Sequence, residues 1–210
     1  MTFSLDVPAG SLATAALTIV RSSESASVAN HSLRSFYFAE LLAAHEGCHQ
    51  DAAYDRDLLF AATVMHDLGT GALAKGEARF EVEGADLAAA VLREHGLAEP
   101  GVDRVWEAIA LHTSPGIAER RGLLAYLTRE GVGIDFGRHP EIVSAWAPRI
   151  HAAHPRLAMV RSLVDAITER AARSPAAAPR YSIGGELLRE RQASGVTDME
   201  LTAAASPWGE

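Results

Sequence analysis

The chain has a single cysteine in 210 residues, Cys48, which excludes an intramolecular disulfide and fits a reducing compartment. Lysine is as scarce: Lys75 stands alone, so arginine supplies nearly all the positive charge. Aromatic residues make up only 6% of the chain while alanine and leucine abound, a balance that favours helices over sheets. The longest uncharged stretch near the start, Val7 to Val20, falls short of the ~20 apolar residues of a membrane-spanning helix. No cationic side chain precedes Arg21, so the basic start of a secretory signal is missing. Positive charge is in deficit overall, 19 bases against 27 acids, and the formal charge of -8 argues against a nucleic-acid backbone as a partner. The expectation is a soluble, cytoplasmic protein without a membrane or nucleic-acid role.

What is present supports one well-filled core, since 48% of residues are hydrophobic and the length suits a single domain. Apolar residues recur at helical spacing through most of the chain, as in Leu33, Phe36, Tyr37, Leu41 and Ala44. The pattern predicts helices over 11–22, from Ser27 or Asn30 to 46, and over 55–67, 83–96, 102–113, 117–130, 139–152, 156–174 and 183–192. Glycine and proline clusters are read as breaks between them, Gly131-Val132-Gly133 among these. No alternating strand pattern stands out. The fold class is therefore all-α. The expected organisation is an arm and first helix over residues 1–24, the main helical domain over 25–175, and a linker, short helix and tail over 176–210. Apolar exposed helices would make a homo-oligomer unsurprising.

The most informative local feature is His66-Asp67, placed at the end of the apolar run that starts at Leu58. Leu59, Ala62, Thr63 and His66 share one helical stripe, which points the imidazole toward the core. A carboxylate buried there is costly without a partner, and a helix C-terminus disfavours an anion. A metal ion, held through neutral imidazole and carboxylate oxygen, is the usual compensating partner. On its own the pair also fits a core histidine with a locally bonded acid. Three more groups bear on the choice. His31 stands one turn before Arg34. His112 falls on the apolar stripe of Val102, Val105, Trp106 and Ile109. Asp135 lies amid the glycines of Gly131 to Gly137. Each alone has an ordinary reading, as a cap, a core histidine or a turn residue.

Taken in order, His31-Ser32-Leu33-Arg34 with Tyr37, Met65-His66-Asp67-Leu68-Gly69-Thr70, Phe80-Glu81-Val82-Glu83-Gly84-Ala85, Ile109-Ala110-Leu111-His112-Thr113 and Gly133-Ile134-Asp135-Phe136-Gly137 form a pattern. It resembles the HD-domain metallohydrolase superfamily, and within it the cyanamide hydratase-like branch, over about residues 25–165. The resemblance implies a helical bundle with one buried divalent metal held by His31, His66, Asp67 and Asp135, zinc first, with iron, manganese or cobalt also suited. Asp165 is the rival for the last ligand position. Phe80 and Thr113 stand where two-metal relatives place further histidines, so the resemblance implies a mononuclear site. Catalytic roles are implied for His112 and Glu81 in proton transfer, and for Arg34. The implied reaction is attack of an activated water on a small substrate, foremost hydration of a nitrile such as cyanamide to urea. A phosphohydrolase in which Arg34 holds a phosphate oxygen is the alternative, and a non-catalytic helical regulator the third reading.

Overall fold

The structure, a computed structural model, describes residues 4–209, and among these every regular element is a helix. Eleven α-helices follow in order: α1 (Ser11–Ser23), α2 (Ala26–His45), α3 (Arg56–Val64), α4 (Phe80–Glu94), α5 (Glu99–Leu111), α6 (Leu123–Asp135), α7 (Pro140–Val143), α8 (Ala147–Ala153), α9 (Met159–Ala171), α10 (Ile183–Ser194) and α11 (Asp198–Ala203). None is long and apolar enough to cross a membrane. The irregular segment before α1 is tied down where Tyr37 donates to Leu5 O at 3.0 Å and Arg56 to Asp6 O at 2.7 Å.

Helix α2 is the axis of the bundle. Ser25 caps its start by accepting from Val28 N, and nearly every side chain from Ser27 to Ala43 is buried. A helix buried on nearly every side needs cover all round, and α6 covers one face, with α3 and α9 on others. Phe36, Tyr37, Phe60, Leu59, Ile109 and Leu127 fill the space between them. A smaller apolar cluster, with Val28, Phe80, Leu163, Ile167 and Leu187, seals the side where α9 and α10 pack.

Several boundaries differ from the sequence reading, each for a tertiary reason. Gly131 and Gly133 lie inside α6 instead of ending a helix. A β-carbon on Gly131 would sit 2.4 Å from Ser35 O of α2, so glycine is what lets these two helices meet. The close packing offsets a helix-propensity loss of about 1 kcal/mol per glycine. Asp135 consequently belongs to the last turn of α6 and not to a loop. The stretch 117–122 forms only a short 3-10 turn, and 139–152 splits into α7 and α8. The tail holds an additional helix, α11, opened by a capping box in which Thr197 and Glu200 bond each other's backbone N–H.

Candidate metal centre

Helix α3 stops at Val64, two residues before His66, when Met65 N closes the last turn on Ala61 O at 3.1 Å. The chain then folds into a 3-10 turn over Leu68–Thr70, held by Thr70 N on Asp67 O at 2.8 Å. This turn presses onto the start of α4. A side chain at Gly69 would place its β-carbon 1.8 Å from Phe80 O, so only glycine permits the contact. His66 and Asp67 are thereby presented together, both buried, toward the first turns of α2.

Three histidine rings point the same nitrogen at Asp67. His66 Nδ1 lies 2.7 Å from Thr63 O, and His112 Nδ1 2.6 Å from Ile109 O. A carbonyl only accepts, so both Nδ1 atoms carry the proton and both Nε2 atoms carry a lone pair. His31 does the same through Asp135, whose Oδ2 lies 2.6 Å from His31 Nδ1. The Nε2 atoms of His66 and His31 stand 3.1 and 3.8 Å from Asp67 Oδ2, and His112 Nε2 is 3.8 Å from Asp67 Oδ1. His31 Nε2, His66 Nε2 and Asp67 Oδ2 are buried and lack a hydrogen-bond partner. All three lie within 4.8 Å of one another. Two bare imidazole nitrogens and one bare carboxylate oxygen, each ring fixed by its far N–H, are the donor set a divalent metal requires.

The electrostatics agree. Burial opposes ionisation of Asp67, yet the neighbouring His66, His31 and His112 rings hold its carboxyl below the usual carboxylate range. Burial lowers the His66 ring, but Asp67 beside it more than compensates, leaving its pKa raised. A metal ion there would compete with a proton for the His66 Nε2 lone pair. Burial, with the His66 ring next to it, takes His112 down to about 4, so this imidazole is neutral at pH 7.

Asp135 stands behind His31 and outside the cluster of three. Its oxygens accept from Arg34 Nε and Nη2, both at 2.7 Å, and Arg156 Nη1 approaches Oδ1 at 3.2 Å. The bidentate Arg34 fork is wholly buried, and its remaining nitrogen donates to His154 O at 2.9 Å. Arg34 therefore faces Asp135 and the 154–155 loop, not the cavity. Glu81 is likewise set back. It accepts from Thr113 Oγ1 and Arg79 Nη2, each at 2.6 Å, and these bonds outweigh burial to keep its carboxyl low. Asp165 is at the surface, paired with Arg191 at 2.7 Å.

A cavity of about 240 Å³ opens over the ligand set. His31, His66, Asp67 and His112 form its floor, and Phe80, Val132, Phe136, Leu163 and Ile167 its walls. Ile183 of α10 and Met199 of α11 close it from above, and Arg129 and Arg138 stand at the rim. The two rim arginines and the C-terminal lining were missed from sequence. The Thr197/Glu200 capping box was the available signal for α11. Also missed was the brace on Asp135: Trp208 Nε1 donates to Ile134 O at 2.7 Å, and Arg156 Nε to Gly209 O at 2.9 Å. Trp208→Phe retains the stack on Phe38 but loses that indole donor. It is expected to cost about 1 kcal/mol, read from urea midpoints; no shift would mean the tail merely lies on the surface.

A family model described as HD domain matches residues 28–169. No curated protein matches the chain at a significant level.

Proposed function

The chain belongs to the HD-domain family, and from that premise we propose a metal-dependent hydrolase that adds water to a small uncharged substrate, foremost a nitrile such as cyanamide. The observation carrying this reading is the convergence of His31 Nε2, His66 Nε2 and Asp67 Oδ2, buried and unpartnered, on the floor of a mostly apolar cavity. These three residues would hold one divalent ion, zinc before iron, manganese or cobalt, and the ion would supply Lewis acidity and a water nucleophilic at neutral pH.

The protein's own groups account for the rest. Asp135 accepts the Nδ1–H of His31 and fixes the ring's tautomer, acting on the centre through that histidine. His112, neutral and lining the cavity, would accept a proton at Nε2 from the attacking water and return it to the nitrile nitrogen as that atom gains negative charge. Cyanamide plus water then gives urea, with no other reactant. Glu81, ionised and held by Arg79 and Thr113, fixes the Thr113 side of the cavity instead of donating the proton.

Two features support an uncharged substrate. The Arg34 fork is fully engaged by Asp135, and the rim arginines are already paired, Arg129 with Glu119 at 2.9 Å and Arg138 with Glu130 at 3.2 Å. The position of those same two arginines at the cavity mouth favours the second reading, hydrolysis of a small phosphoester. Zinc-loaded protein offered both classes separates them. Urea release from cyanamide is the expected result, and phosphate release from nucleoside monophosphates with no urea would replace the first reading by the second.

A further inference from the structure

Glu24 is buried at its carboxylate and has no partner. It ends α1, where its backbone N–H bonds Val20 O at 2.9 Å, and neither side-chain oxygen accepts a hydrogen bond. A helix C-terminus carries partial negative charge, so the backbone offers this anion no compensation. Such a group persists only if it takes up a proton or if a cation stands nearby. Its electrostatic neighbour is Asp67. After burial, repulsion from Asp67 is what pushes the Glu24 carboxyl well above its ordinary range.

The backbone ties the end of α1 to the turn that carries the ligands. The last turn of α1 is hooked onto the turn that follows Asp67: Ala72 N donates to Ser23 O at 2.8 Å, and Leu73 N to Ser23 Oγ at 3.5 Å. A β-carbon at Gly71 would fall 2.3 Å from Ser23 Oγ, so the hook is tight. The buried atoms without a partner thus include His31 Nε2, His66 Nε2, Asp67 Oδ2 and both oxygens of Glu24. Atoms elsewhere share that state, Glu119 Oε2 and Thr128 Oγ1 among them, but Glu24 follows directly on Ser23, the residue hooked to the ligand turn. Glu24 is not in the group whose atoms lie within 4.8 Å of one another, so direct ligation by it is not what the geometry shows.

We propose that Glu24 is an outer acidic member of the metal centre, a positioning residue whose carboxylate compensates the ion's charge and holds a water beside it. This rests on the metal reading given above. It makes the centre richer in negative charge than His31, His66 and Asp67 alone, which favours a divalent ion over a monovalent one. The alternative is a neutral carboxylic acid packed beside Asp67 with no bearing on metal.

Zinc titration of the full chain against a chelating dye tests the assignment without recourse to activity. Glu24→Gln keeps the shape and removes the charge. Its zinc affinity is expected to fall about 10–100-fold, while the metal-free variant remains as stable as the parent, or more so, in urea at neutral pH. Glu24→Ala should weaken zinc at least as much and guards against compensation by the amide. Equal zinc affinity in parent and both variants would overturn the role of Glu24 and leave the metal centre intact. Failure of the parent itself to bind zinc, with His66→Ala indistinguishable from it, would overturn the underlying reading instead.

Discussion

Asp135→Ala is expected to lower folding stability by roughly 3–5 kcal/mol, the usual cost of removing one member of a buried charge cluster. The loss is large because one carboxylate serves three partners. Arg34 directs two of its nitrogens to Asp135, Arg156 a third contact, and His31 its Nδ1–H. Arg34 is wholly enclosed, so without Asp135 its cation has neither water nor an anion to face. Asp165→Ala serves as the matched control, since Asp165 is half exposed and pairs with Arg191 at the surface, where such pairs contribute about 0–1 kcal/mol. Denaturant midpoints of the two variants give the comparison. A loss in Asp135→Ala no greater than in Asp165→Ala would mean that the buried charges find other partners.

Zinc is expected to stabilise the parent chain and not His66→Ala. An ion that binds only the folded state adds about 2.7 kcal/mol at a hundredfold excess over its dissociation constant. For a chain of this size each kcal/mol shifts the melting temperature by about 2–4 °C, so the rise is about 5–10 °C. A chelator should reverse it. His66 is the sensitive position because its ring is fixed on both sides, by Thr63 O at Nδ1 and by Asp67 3.1 Å from Nε2. Deleting the ring removes one of the three converging donors and leaves Asp67 facing only His31 and His112. An equal thermal shift in His66→Ala would place the zinc elsewhere and sink the assignment of the centre.

How much of this was legible in the sequence depends on the range of the interaction. His66-Asp67 was readable because an acid beside an imidazole at the end of an apolar helix is a local conflict, visible within a dozen residues. The all-helical class followed from periodicity for the same reason. Asp135 could be singled out as an acid among glycines, but its position behind His31 depends on the contact of α6 with α2, residues about a hundred apart. The same contact explains why Gly131 and Gly133 were misread as a break: their helical cost is local and their compensation is not. Arg34 shows the converse, a residue correctly noticed whose partner could not be seen from its neighbours. Glu24, Arg156 and Trp208 had no local signature. Each matters only through what the fold lays against it.

The cluster around Asp135 also bears on the order of events as the chain folds. Its bonds to His31 and Arg34 join residues 104 and 101 positions apart. Such contacts reward the chain only after a loop of that length has closed, so they are expected to form later than contacts between helices adjacent in sequence, such as α4 and α5. Interactions made after the rate-limiting barrier leave the rate of folding almost untouched and set how long the native state survives. The buried arginine–aspartate knot is in that sense a latch on the lifetime of the folded protein, closed last and opened first.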